Sequence, residues 1–195
     1  MKNRHIYIVL TRTNTVLSNL ISLIKNDEYT HASISVNKDL NTMYSFGRKH
    51  ACNPFVGCFV KENLFEGVFG FHNKLKGQVL QLNVTEEQYD EVTKLLYDFD
   101  SNSDYYKYNY LGLINSLLNR ESFCDDRFLC SEFVYYVLNK VGIADLDKPR
   151  NLVRPQDLLN ITSEIVFEGN LKSNQFTKDN RNKFKDKYAT VSPLL

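Results

Sequence analysis

Two stretches of alternating polarity, His31–Val36 and Thr42–Gly47, are separated by a run of turn formers, Asn37–Asn41. Alternation places successive side chains on opposite faces of a strand, and the polar run between them closes a β-hairpin. The chain is therefore committed to an antiparallel sheet with one face to bury. If the turn is centred near Asp39, Ser33 lies across from Ser45. A slip of two residues would instead set His31 opposite Ser45. In either register Ser45 shares the face of His31, along with Ser33 and Ser35.

Other segments supply the rest of the layout. Ile6–Leu10 reads as a buried strand. Asn14 or Thr15 can cap a helix carrying Val16, Leu17, Leu20, Ile21 and Ile24. Gly57–Val60 is a further short strand, and Gly77–Val84 alternates with Leu80, Leu82 and Val84 on one face. Thr85 and Gln88 have capping-box spacing, followed by Tyr89, Val92, Leu95, Leu96 and Phe99 at helical intervals. Ser101–Asp104 is a turn, and Tyr105–Leu118 is expected to hold a helix. Phe128–Val141 is helical by periodicity, with Asp125 or Asp126 as its cap and Gly142 as its stop. Pro155 suits the first position of a short helix to Leu159. Ile165–Phe167 is a last strand, and the polar tail from Asn170 is expected to fray. The expected fold class is α+β: an antiparallel sheet of about five to six strands with helices packed on it, in a single domain over residues 1–195.

Composition narrows the function classes. The chain has 195 residues, long enough for a sizeable core, and a formal net charge of +1. No global field recruits nucleic acid. The basic residues between Lys172 and Lys187 are interrupted by Asp179 and Asp186 and read as a solvated tail. The apolar run after Lys2 and Arg4 is too short for a secretory signal, and no segment approaches the length that spans a bilayer. The expectation is a cytoplasmic protein without stable membrane insertion. No motif asks for a cofactor. Cys52, Cys58, His50 and His72 fit no usual zinc spacing. The oligomeric state is not encoded.

Among the 4 cysteines, Cys130 falls in the first turn of its helix, where the dipole and free backbone N–H groups favour a thiolate. Cys124 lies in a loop, and Cys52 and Cys58 flank Pro54 and Gly57. A thiolate needs a base and a group that orients the base. Of the 4 histidines, His31 begins a strand beside Thr30, whereas His5, His50 and His72 read as solvated. Ser45 is the local candidate to orient the His31 imidazole. Arg48 is a candidate anchor for a substrate carboxylate or phosphate. Thr11 and Tyr7, on the first strand, are further candidates for substrate binding. Glu132, two helical positions after Cys130, points elsewhere and reads as structural.

These pieces, in this order, resemble the circularly permuted branch of the NlpC-type papain-like superfamily, the YiiX/YaeF-like proteins. The matching stretches are His31-Ala32-Ser33-Ile34-Ser35, Met43 to Arg48, Tyr108 to Gly112, Cys130-Ser131-Glu132-Phe133-Val134, and Pro155-Gln156-Asp157-Leu158. The resemblance runs from about Ile6 to Leu159. It implies a cysteine hydrolase of amidase or peptidase type: Cys130 attacks an amide or ester carbonyl to give a thioester, His31 serves as base, and the backbone N–H of Cys130 helps form an oxyanion hole. One departure stands out. Many relatives carry a glutamate, histidine or asparagine on the strand after the histidine, and here Ser45 occupies the comparable stretch. A hydroxyl stabilises imidazolium less than a carboxylate does.

Three functions follow as alternatives. The first is hydrolysis of small peptides, amides or acyl esters. The second is lipid acyl hydrolysis or acyl transfer of the lecithin:retinol acyltransferase-like type, with Phe55–Phe71 contacting lipid or lining an acyl pocket. The third is a degenerate, non-catalytic binding domain of the same fold.

Overall fold

The computed structural model describes residues 4–12, 27–50 and 53–173; the side chains of 48–50 and 53–56 are not among those described. The strands are β1 (Arg4–Thr11), β2 (His31–Ser35), β3 (Met43–His50), β4 (Asn53–Glu62), β5 (Lys76–Val84), β6 (Lys107–Tyr108), β7 (Arg127–Phe128) and β8 (Glu164–Asn170). The helices are α1 (Gly67–Gly70), α2 (Glu86–Ser101), α3 (Tyr110–Leu117) and α4 (Cys130–Lys140), with 3-10 turns at Arg150–Leu152 and Pro155–Asn160. The fold is α+β, and the described strands form one mixed sheet of 8 in the order β7-β6-β4-β3-β2-β1-β5-β8.

Alternation along the strands builds two cores. Ile6, Ile8, Leu10, Ala32, Ile34, Phe46, Phe59, Leu80 and Leu82 face α2 and α4, meeting Val92, Leu96, Phe99, Phe133, Val134, Val137 and Leu138. The opposite face carries Tyr7, Val9, Met43 and Val79, covered by Leu40, Leu64, Phe69, Leu75 and Leu171. Interlocked rings fill the larger core: Phe133 lies 5.3 Å from Phe46 and 5.0 Å from Phe99 between centroids. Such pairs contribute about 0.5–1.5 kcal/mol beyond their area.

The hairpin takes the register centred near Asp39. Ile34 pairs with Tyr44, which sets Ser33 across from Ser45. The capping box at Thr85 and Gln88 forms as its spacing requires. Gly142 follows α4 at a φ of +66°.

The structure corrects several expectations. The sheet has 8 strands and is mixed because β6 and β7 pair in parallel. Both are two-residue strands, too short to leave a periodic signal. The expected helix from Tyr105 begins only at Tyr110, because Asn109 accepts the Gly112 N–H at 2.8 Å and caps it there. Asp125 and Asp126 do not cap α4: the cap position is Leu129, and the Glu132 carboxylate accepts the Leu129 N–H at 3.1 Å. β4 runs on to Glu62, beyond the expected end at Val60. The tail does not fray at Asn170, since Asn170 pairs with Lys76 and Leu171 is fully buried in the second core. The helix expected between Asn14 and Ile24 lies outside the described residues, as do Cys52 and the tail from 174. Among the described residues, no helix is long and apolar enough to cross a membrane.

Candidate active site

His31 opens β2 and is tied down from both directions. Its Cα pairs with Thr11, and the Thr30 N–H donates to the Thr11 carbonyl at 3.0 Å. The preceding residues are held by the Pro155 turn, where Gln156 Oε1 accepts the N–H groups of Glu28 and Tyr29 at 3.1 and 3.3 Å. Asp157 stabilises that turn by accepting the Arg154 N–H at 2.8 Å. It also pairs with Lys148 at 2.7 Å.

Cys130 is the first residue of α4. The helix end is fixed by a buried network about Glu132, which has no exposed surface. Its Oε1 accepts from Arg150 Nε at 3.1 Å, and its Oε2 accepts from the Leu129 N–H and, at 3.4 Å, from Asn109 Nδ2. Burial pushes the Glu132 carboxyl above the ordinary carboxylate range, against the opposing pull of Leu129, Arg150 and Asn109. The Arg150 guanidinium lies over the rings of Phe128 and Tyr136 at 5.0 and 5.6 Å. Glu132 thus takes a structural part, clamping the helix start to α3 and to the Arg150 turn.

The imidazole of His31 and the thiol of Cys130 meet. They stand close enough for each to bias the charge of the other. On the other side of the ring, Nε2 stands 2.9 Å from Oε1 and 3.0 Å from Oε2 of Glu62. With Nε2 committed there, Nδ1 is the nitrogen left for the thiol. Ser33 donates to Glu62 Oε2 at 2.6 Å and fixes the carboxylate. The side chains of His31 and Glu62 are each only 13% exposed, so solvent screens the pair weakly.

Electrostatics follow from this geometry. Burial opposes a charged imidazole, but the Glu62 charge and the hydrogen bonds to Cys130 and Glu62 outweigh it, and His31 titrates well above 6.5. Burial likewise opposes a thiolate at Cys130. The His31 hydrogen bond and charge, with the backbone N–H groups of Ala32 and Ser131, outweigh it and bring the thiol below 9.0. The arrangement favours a thiolate–imidazolium pair, the reactive form of a cysteine nucleophile. Cys124 is the internal contrast: its thiol donates to Asp126 Oδ1 at 2.9 Å, which pushes it above 9.0.

The remaining sequence candidates lie elsewhere. Ser45 is not the orienter of His31. Its hydroxyl donates to the Ala32 carbonyl at 2.7 Å, within the hairpin, and the carboxylate on the imidazole comes from Glu62. Tyr7 pairs with Ser35, four residues along β1 from Thr11, and belongs to the second core; burial pushes its hydroxyl up to about 12. Thr11 is buried beside His31 in the sheet, and its hydroxyl has no hydrogen-bond partner among the described residues. Arg48 pairs with Gly57 in β3, and its side chain lies outside those described. Among the described residues, no group of His, Cys, Asp and Glu side chains gathers to hold a metal ion.

Cys130 is one of the residues that line a cleft. Its walls include Tyr108, Leu113, Leu117, Leu129, Val153 and Pro155. Phe59 and Phe69, by contrast, are core residues, and Phe65 and Phe71 are exposed away from this cleft.

Sequence reasoning missed Glu62 and Ser33 as members of the site. Ser33 was legible as a neighbour on the His31 face. Glu62 was not, because the alternation of β4 reads as ending at Val60. No family model matches the chain, and no curated protein matches it.

Proposed function

We propose that this chain is a cysteine-dependent hydrolase of the permuted papain-like type, acting on small amides or acyl esters. The observation that carries the reading is the buried contact of His31 with Cys130 on one side and Glu62 on the other. Glu62 supplies the carboxylate whose apparent absence motivated a non-catalytic reading.

In the reaction, the Cys130 thiolate attacks the substrate carbonyl carbon. A C–S bond forms as the carbonyl π pair moves onto oxygen. The backbone N–H of Cys130, in the first turn of α4, donates to that oxyanion. Collapse of the tetrahedral species breaks the bond to the amine or alkoxide. The His31 imidazolium gives its proton to this leaving group. Neutral His31 then takes a proton from water as the water oxygen attacks the thioester. The acid is released, Cys130 leaves as thiolate, and imidazolium is restored. Glu62 holds the ring through Nε2 and stabilises its charge in both half-reactions.

The test is formation of a thioester on Cys130 from activated acyl esters, followed by intact-protein mass spectrometry. A covalent acyl adduct that is absent in Cys130→Ala is expected. Equal acylation and turnover by Cys130→Ala would overturn the assignment.

A further inference from the structure

The cleft at Cys130 holds a chemical signature of its substrate. Cys130 forms part of its wall, so the group attached to an attacked carbonyl must enter it or turn away from it. The wall is apolar over Tyr108, Leu113, Leu117, Leu129, Val153 and Pro155.

Two of its polar members, Ser131 and Arg154, are already engaged, while Thr30, Ser116 and Tyr108, which carry hydroxyls, also line it. The Ser131 hydroxyl donates to the Val153 carbonyl at 2.6 Å. The Arg154 guanidinium pairs with Asp27 at 2.9 Å and with Asp157 at 3.4 Å. Its charge is therefore spent on two carboxylates rather than offered to a ligand. A carboxylate entering here would lose its water without gaining a free cation.

Size is the second constraint. The cleft, open on one side to solvent, offers about 40 Å³ to water-sized groups. A single water needs about 10–15 Å³ on this measure, so the space takes roughly three heavy groups. We propose that this cleft is the acyl-group pocket of the enzyme, and that it selects short, uncharged, apolar acyl groups over both carboxylate-bearing and long-chain ones. Leu117, on α3, forms part of its wall. This rests on the hydrolase reading above and names the substrate class of that site.

The experiment uses the full chain and a series of p-nitrophenyl esters: acetyl, butyryl, hexanoyl, octanoyl and succinyl. Acylation rates are normalised to the hydroxide-catalysed hydrolysis of each ester. The thioester is located on Cys130 by peptide mass mapping. Acetyl or butyryl is expected to react fastest, with octanoyl and succinyl each down by about tenfold or more, since one misplaced methylene in an apolar pocket costs about 10–200-fold. Leu117→Ala is expected to move the optimum to hexanoyl, and Leu113→Ala provides a second enlargement of the same wall.

A thioester on Cys130 that forms equally fast across the series, or fastest from succinyl or octanoyl, overturns the pocket while leaving the nucleophile standing. An unmoved optimum in both enlarged variants overturns it too. No thioester on Cys130 from any ester overturns the hydrolase reading, and the pocket with it.

Discussion

Glu62 reaches the imidazole of His31 across β3, with Nε2 2.9 Å from Oε1 and 3.0 Å from Oε2. A carboxylate on that nitrogen does two things: it fixes the tautomer and favours the protonated ring. Glu62→Gln keeps the shape and removes the charge. The His31 pKa should fall, because the Glu62 charge is the largest of the influences raising it. Turnover should drop on the order of 100-fold. The alkaline limb of the pH–rate profile should move to lower pH. Ser45→Ala, which loses bonds to the Ala32 and Phe46 carbonyls, should leave that limb where it is.

Thiol reactivity offers a direct reading of the ion pair. Cys130 is held below 9.0 and Cys124 above it. Near neutral pH, iodoacetamide should modify Cys130 well before Cys124, as mapped by peptide mass. The pair forms as pH rises through the lowered Cys130 pKa and is lost as pH rises through the raised His31 pKa. Activity should therefore be bell-shaped, with its acid limb below 9.0 and its alkaline limb above 6.5. Simultaneous labelling of both cysteines only in alkali would contradict the electrostatic account.

The Arg150–Glu132 pair is a stability prediction. Arg150→Met leaves a fully buried carboxylate without its cation and should cost about 3–5 kcal/mol in urea denaturation. The sign with pH is set by Glu132. Its folded pKa already lies above 4.5, so the folded state binds more protons than the unfolded one, and stability falls as pH rises through that interval. Removing Arg150 raises the folded pKa further. The deficit of the variant should be largest at neutral pH and shrink in acid. A deficit independent of pH would show that Arg150 acts through its ring packing and its bond to the Cys124 carbonyl rather than through the Glu132 charge.

Gly112→Ala tests the cap that joins α3 to the cysteine helix. A Cβ there would stand 2.1 Å from Asn109 Nδ2 and 2.4 Å from its Cγ. Asn109 must swing away, losing its bonds to the Gly112 N–H and to Glu132. Loss of such a cap costs about 1 kcal/mol. A lowered melting temperature with slower Cys130 acylation is expected. Acylation unchanged at equal folded fraction would separate the cap from the site.

Much of this arrangement was legible in local spacing. The hairpin with Ser45 on the face of His31, a helix with Cys130 in its first turn and the capping box of Thr85 with Gln88 all depend on residues a few positions apart, where backbone period and side-chain reach decide the outcome. That is why His31 and Cys130 could be singled out before any contact between them was known. The identity of the orienter depended instead on how far β4 extends and which strand lies beside β3. Glu62 pairs with Met43 at the far end of that strand, and Ser45, nearer in sequence, spends its hydroxyl inside the hairpin. Arg150 finding Glu132, and Cys130 titrating low while Cys124 titrates high, were decided in the same way. The amino-acid sequence by itself determined the longer strands, the Thr85 helix cap, and the placing of a histidine at a strand start and a cysteine in a first helical turn. The tertiary structure decided their partners and their charges, because Coulomb and desolvation energies depend on distances through space that no local spacing encodes.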